Sequence, residues 1–144
     1  MTQLEQITQY MQTALASDNS GHSADHIDRV VALANKILIN EPMADPFIVR
    51  AAALLHDVYD DKLFNNASDV QLAKSHLKTF LSNISVSQDD ISRIFYIIDN
   101  MSWSKGIGGQ AQHLDINGQI VQDADRLEAV GAIAITRADR KSVV

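Results

Sequence analysis

The sequence predicts an all-α fold, a single domain of about six helices. Three observations carry this. Apolar residues recur at helical spacing through most of the chain, no stretch alternates as a strand would, and residues suited to N-caps precede the periodic segments. At 144 residues the chain is long enough for a proper hydrophobic core. No repeat, low-complexity tract or linker divides it, so residues 1–144 read as one domain.

The elements follow in order. Thr2-Gln3-Leu4-Glu5 has the form of a capping box, and Leu4, Ile7, Tyr10, Met11, Ala14 and Leu15 behind it form one apolar stripe. Asp18-Asn19-Ser20-Gly21 breaks the pattern. A second helix is expected from near Ser23 to about Asn40, with Ile27, Val30, Val31, Ala34, Ile37 and Leu38 inward. Asp45-Pro46 supplies an N-cap with proline at the first helical position. It opens a third helix that ends in His56-Asp57. After a loop at residues 62–67, Ser68 is the expected cap of a fourth helix and Ser87 of a fifth. Residues 102–118 form the longest irregular stretch, with Trp103 and three glycines, and loops of that length are more often functional than idle. The last helix is expected from near Gln119, running through Ile120, Val121, Ala124, Leu127 and Val130.

Composition narrows the function. Twelve basic and eighteen acidic residues give a net charge of −6 and a pI near 5.1, which argues against gripping an extended nucleic-acid backbone but leaves room for a nucleotide in a pocket. With no cysteine there is neither a disulfide framework nor a thiolate site, so any metal falls to His, Asp or Glu. The N-terminus lacks a signal-peptide pattern, and no apolar run approaches the ~18 residues needed to span a membrane. The expectation is a soluble cytoplasmic protein.

The chemistry concentrates at Ala51-Ala52-Ala53-Leu54-Leu55-His56-Asp57, where an apolar run delivers an imidazole and a carboxylate side by side. A buried carboxylate needs a partner, and a cation is one; the alternative is that His56 and Asp57 are merely the wet end of a helix. His26 borders the apolar stripe of the second helix, where an ordinary half-buried histidine is the plain reading. His22 precedes it in a loop, and His76 and His113 read as incidental. In the last helix, Asp123 and Asp125 interrupt an apolar pattern, although aspartate is a poor helix-interior residue. They point about 200° apart, and periodicity alone does not choose between them. Asp125 shares a face with Val121 and Glu128, Asp123 with Ile120 and Leu127; a surface Asp–Arg network is the competing account.

The arrangement His26 … His56-Asp57 … Asp125 resembles the signature of the HD superfamily of metal-dependent phosphohydrolases. Residues 21–30, from Gly21-His22-Ser23 to His26-Ile27-Asp28-Arg29-Val30, are similar to the HD-x-x-H-x-x-RV opening of that family. Leu54-Leu55-His56-Asp57-Val58-Tyr59-Asp60-Asp61-Lys62 fits its LLHD-x-x-D-x-K block, and residues 120–133 are close to IVQDADRLDAIGAI. The likeness covers residues 21–137 and points to the small, single-domain bacterial branch. It implies His26, His56, Asp57 and Asp125 as ligands of a divalent ion: Mn²⁺, Mg²⁺, Fe²⁺, Co²⁺, Ni²⁺ or Zn²⁺ by donor chemistry. Around the ion it implies Arg29 and Lys62 on phosphate oxygens, Asp60 orienting water or acting as base, and His22 donating a proton to the leaving group. Surface salt bridging is the alternative for Arg29 and Lys62.

Two positions depart from the pattern: Ser23 and Glu128 stand where the family has aspartate. Family chains also continue beyond the point where this one stops, so a shortened C-terminal form is expected, with an apolar face that could favour a homodimer. The implied activity is hydrolysis of a phosphate or pyrophosphate bond in a nucleotide or other small phosphate compound. The alternatives are a non-catalytic HD-fold module binding a nucleotide or protein partner, and a purely structural helical domain.

Overall fold

The computed structural model describes residues 1–16, 24–60, 64, 66–101 and 113–142, with side chains followed to residue 131. Among these residues there is no strand, and six helices account for the regular structure. They are α1 (Gln3–Leu15), α2 (Ala24–Leu38), α3 (Pro46–Leu55), α4 (Ala67–Asn83), α5 (Gln88–Asn100) and α6 (Ile116–Ser142).

The short helix α3 is the axis of the fold, packing against α1, α2, α5 and α6. Its composition explains this position. Ala51, Ala52 and Ala53 are all fully buried, and three side chains of one carbon each let neighbouring helices approach from several sides. Ile48, Val49 and Leu55 fill the remaining space. The α2 and α6 helices pack against each other as well as against α3, while α4 reaches the core through α5.

Local capping sets the boundaries. Thr2 and Glu5 exchange hydrogen bonds of 3.1 Å in the expected capping box. Asp45 accepts from the Phe47 and Ile48 amides, with Pro46 in the first turn of α3. Ser87 caps α5 by accepting from the Asp90 amide. The α4 helix starts earlier than the expected Ser68 cap, because Asn66 accepts from the Asp69 amide at 2.9 Å. It ends in a Schellman motif: the Val86 amide donates to the Leu81 carbonyl and the Ser85 amide to that of Ser82, each at 3.0 Å. Ser85 occupies the left-handed position with φ 71°.

The last helix likewise begins three residues before Gln119, because the Asp115 carboxylate accepts from the Gly118 amide at 3.0 Å. Glycine is needed there, since a Cβ would lie 2.9 Å from Leu114 Cδ2 and 3.3 Å from Ile97 Cγ1. Asn117, buried beside it, accepts from the Asp45 amide at 2.7 Å and ties the start of α6 to the start of α3.

Helical spacing does not put every apolar residue of α4 and α6 inside. Leu72, Leu127 and Val130 are each more than half exposed. No helix among the described residues is long and apolar enough to cross a membrane.

Candidate metal centre

The site is built where α3 stops. His56 is the C-cap residue of that helix, and the turn beyond it is held by the Val58 amide on Leu55 and the Asp60 amide on Asp57. Because the chain leaves the helix here, neighbouring side chains need not diverge by the ~100° of a regular α-helix. His56 Nε2 lies 3.5 Å from Asp57 Oδ1. Both residues are buried, in keeping with the apolar run that precedes them.

The α2 helix brings His26 to the same point. Its Nε2 is 3.3 Å from Asp125 Oδ1 and 3.9 Å from Asp57 Oδ2, and its ring centroid is 5.9 Å from that of His56. From α6, Asp125 Oδ1 is also 3.5 Å from His56 Nε2. His26, His56 and Asp57 each present a donor atom within 4.8 Å of the others. Periodicity left Asp123 and Asp125 open; Asp123 faces solvent and Asp125 faces the two imidazoles.

Hydrogen bonding fixes the tautomer of both neutral rings. His56 Nδ1 is 2.7 Å from the Ala53 carbonyl oxygen, which only accepts, so Nδ1 carries the proton. His26 Nδ1 is 2.8 Å from Glu128 Oε2, and a carboxylate likewise only accepts. Both rings therefore turn Nε2 toward carboxylate oxygens. With neutral rings this sets lone pair against lone pair, which is repulsive unless a positive charge lies between. His56 Nε2 is fully buried and has no hydrogen-bond partner, and burying such an atom unpaired is costly.

Titration in the metal-free protein expresses the same need. Burial alone would keep His56 neutral, but Asp125 and Asp57 outweigh it and push its pKa up to about 9. Asp125 raises His26 too, helped by Glu128 and Asp57 against burial and the His56 charge. Burial would raise the Asp125 carboxyl, yet the two imidazoles hold it well below the usual carboxylate range. Two carboxylates and two imidazoles that attract positive charge this strongly fit a divalent ion. The donor atoms of His26, His56 and Asp57 lie within 4.8 Å of one another, and Asp125 Oδ1 lies within 3.5 Å of both imidazoles, near enough for these residues to hold one cation.

The outer residues are distributed unevenly. Arg29 gives its Nε to Glu128 Oε1 while its side chain stays 58% exposed. Asp60 follows on the turn after Asp57 and is half-buried. His22, Lys62 and Trp103 lie outside the described residues. Tyr59, one turn position from Asp60, donates to Asp99 Oδ1 at 2.7 Å, and Lys74 pairs with the other oxygen of Asp99. Sequence reasoning underrated Glu128, which is buried at 7% exposure and contacts both His26 and Arg29. The available signal was its shared face with Asp125 in an otherwise apolar stretch.

A family model described as "HD domain" matches residues 23–130, and the chain belongs to that family. It is 40% identical over 138 residues to the uncharacterized protein YpgQ of Bacillus subtilis, covering 96% of this chain and 65% of that one. A crystal structure of YpgQ in complex with ADP superposes with a TM-score of 0.70 at 36% identity, covering 97% of this chain and 65% of that one. A Lactobacillus plantarum protein gives a TM-score of 0.80 at 43% identity, with 96% and 62% covered. An HD-superfamily hydrolase of Bacillus thuringiensis gives 0.65 at 31% identity, with 93% and 61% covered. The chain thus spans less than two thirds of the length of each of these relatives.

Proposed function

We propose that this chain is a cytoplasmic metal-dependent phosphohydrolase, cleaving a phosphate or pyrophosphate bond of a nucleotide or similar small phosphate compound. The observation that carries the reading is the pair of imidazoles, each with Nδ1 engaged as donor and Nε2 turned toward shared carboxylates. His26, His56, Asp57 and Asp125 would hold the ion. When bound, a divalent cation supplies Lewis-acid polarisation of a phosphoryl oxygen and lowers the pKa of water. A nucleotide is favoured because the related YpgQ has been crystallised with ADP.

The chain's own groups divide the remaining work. The His56 and Asp57 side chains are 4% and 8% exposed and form the closed back of the site, while Asp125, at 35%, leaves it open toward α6. Phosphate oxygens approach from that side, and the groups proposed to hold them are Arg29, as a planar fork, and Lys62, as a point charge. Asp60 accepts a proton from the attacking water, and His22 donates one to the leaving oxygen.

Turnover of a panel of nucleoside mono-, di- and triphosphates with Mn²⁺ or Mg²⁺ tests the reading. Hydrolysis that falls by at least about 100-fold in Asp57→Ala supports it. Nucleotide binding without turnover supports a non-catalytic binding module instead. Activity unchanged in Asp57→Ala overturns the proposed centre.

A further inference from the structure

We infer that Glu128 is a positioning residue of the metal centre: its carboxylate holds His26 in the tautomer whose Nε2 faces Asp57 and Asp125. This rests on the reading of the cluster as a divalent-cation site. The geometry is a four-cornered clamp between two helices. His26 and Arg29 are three residues apart on α2, and Asp125 and Glu128 are three apart on α6. Residues so spaced lie on one helix face. Across the interface His26 meets Asp125 through Nε2 and Glu128 through Nδ1, while Arg29 Nε takes the second oxygen of Glu128.

Both oxygens of Glu128 are thus engaged, so its carboxylate is fixed in orientation and fixes His26 in turn. Its exposure is only 7%, although its partner Arg29 lies largely in solvent. A carboxylate in that place must be compensated by its contacts rather than by water. The two imidazoles are also held unequally. His56 leans on a neutral backbone carbonyl, whereas His26 leans on an anion. An anionic partner raises the basicity of the opposite ring nitrogen, a recognised way to strengthen a ligating histidine. His26 is also the more exposed of the two, at 17% against 4%, and so has more need of being held.

The test uses the full chain, with Mn²⁺ as probe, in the wild type, Glu128→Ala and Glu128→Gln. Titration calorimetry reads Mn²⁺ affinity, and long-range ¹H–¹⁵N correlation spectra of the metal-free protein, recorded at a pH high enough to leave the imidazole neutral, read the His26 tautomer. Glu128→Ala should weaken Mn²⁺ binding by about 10–100-fold and release His26 to a mixture of tautomers. Glu128→Gln, whose amide oxygen still accepts from Nδ1, should keep the tautomer and lose less affinity; if the alanine variant does not fold, Glu128→Leu, which fills the space but offers no acceptor, takes its place, and an unchanged tautomer and affinity there overturn the inference equally. Wild-type affinity and an unchanged His26 tautomer in a folded Glu128→Ala protein overturn the inference while leaving the metal centre standing. A wild type with no Mn²⁺ affinity overturns both. A merely structural role would lower the melting temperature and move neither readout.

Discussion

His56 Nε2 and Asp125 Oδ1 face each other at 3.5 Å across the junction of α3 and α6, with no hydrogen bond at the imidazole nitrogen. With its pKa raised by Asp125 and Asp57 against burial, the imidazole takes up a proton more readily than a free histidine, and a divalent ion would displace that proton. That exchange sets the first prediction. The His56 pKa is raised from 6.5 to about 9 in the folded chain, so its contribution to metal-free stability is fully present below pH 6.5 and lost as pH rises through 9.

Metal affinity has the opposite dependence, because the ion competes with protons. It should climb by about tenfold per pH unit for each proton displaced, flattening above pH 9. His26, also raised, adds to the slope. Calorimetry in buffers of different ionisation enthalpy should detect about one to two protons released per Mn²⁺ at pH 7. An affinity constant between pH 6 and 9 contradicts this.

The central helix makes a second prediction. Ala52 is fully buried on a helix that four others touch. Ala52→Leu adds three carbons where close-packed helices leave no room, and it should destabilise the fold by about 1–3 kcal/mol or more in urea unfolding. A gain in stability would show that α3 is less tightly enclosed than the structure has it.

Ser85 predicts a gain. It sits at the left-handed position of the α4 Schellman motif with φ 71°, where glycine is the usual occupant. Ser85→Gly relieves a cost of roughly 1–2 kcal/mol, offset in part by the greater freedom of glycine in the unfolded chain. The expected net is a rise of about 0.5–1 kcal/mol, read as a higher denaturation midpoint with metal affinity unchanged.

How much was legible beforehand follows from where the signals are local. Caps and stripes are local, so Thr2, Asp45-Pro46 and Ser87 located three helix starts correctly. The His56-Asp57 pair announced itself because an apolar run ended in two ionisable groups. The start of α6 was misplaced because its first turn depends on Asp115 and on the packing of Gly118 against Leu114 and Ile97. The end of α4 was unmarked because a serine fills the glycine position. Leu127 and Val130 share the apolar periodicity of α6 yet are more than half exposed, because periodicity reports a shared helix face and not what covers it.

Glu128 shows the same limit at the site. Its shared face with Asp125 was visible, but its contact with His26 is a relation between α2 and α6 that spans 102 residues. The choice of Asp125 over Asp123 also rested on family likeness before the fold resolved it, since one helix cannot say which of its faces meets another.

The most direct measurement is anomalous diffraction at the manganese edge from crystals grown with Mn²⁺. A peak bounded by the Nε2 atoms of His26 and His56 and the carboxylates of Asp57 and Asp125 is the predicted result. With Mn²⁺ saturating, no peak among those four side chains would contradict the account, wherever else on the surface manganese was found.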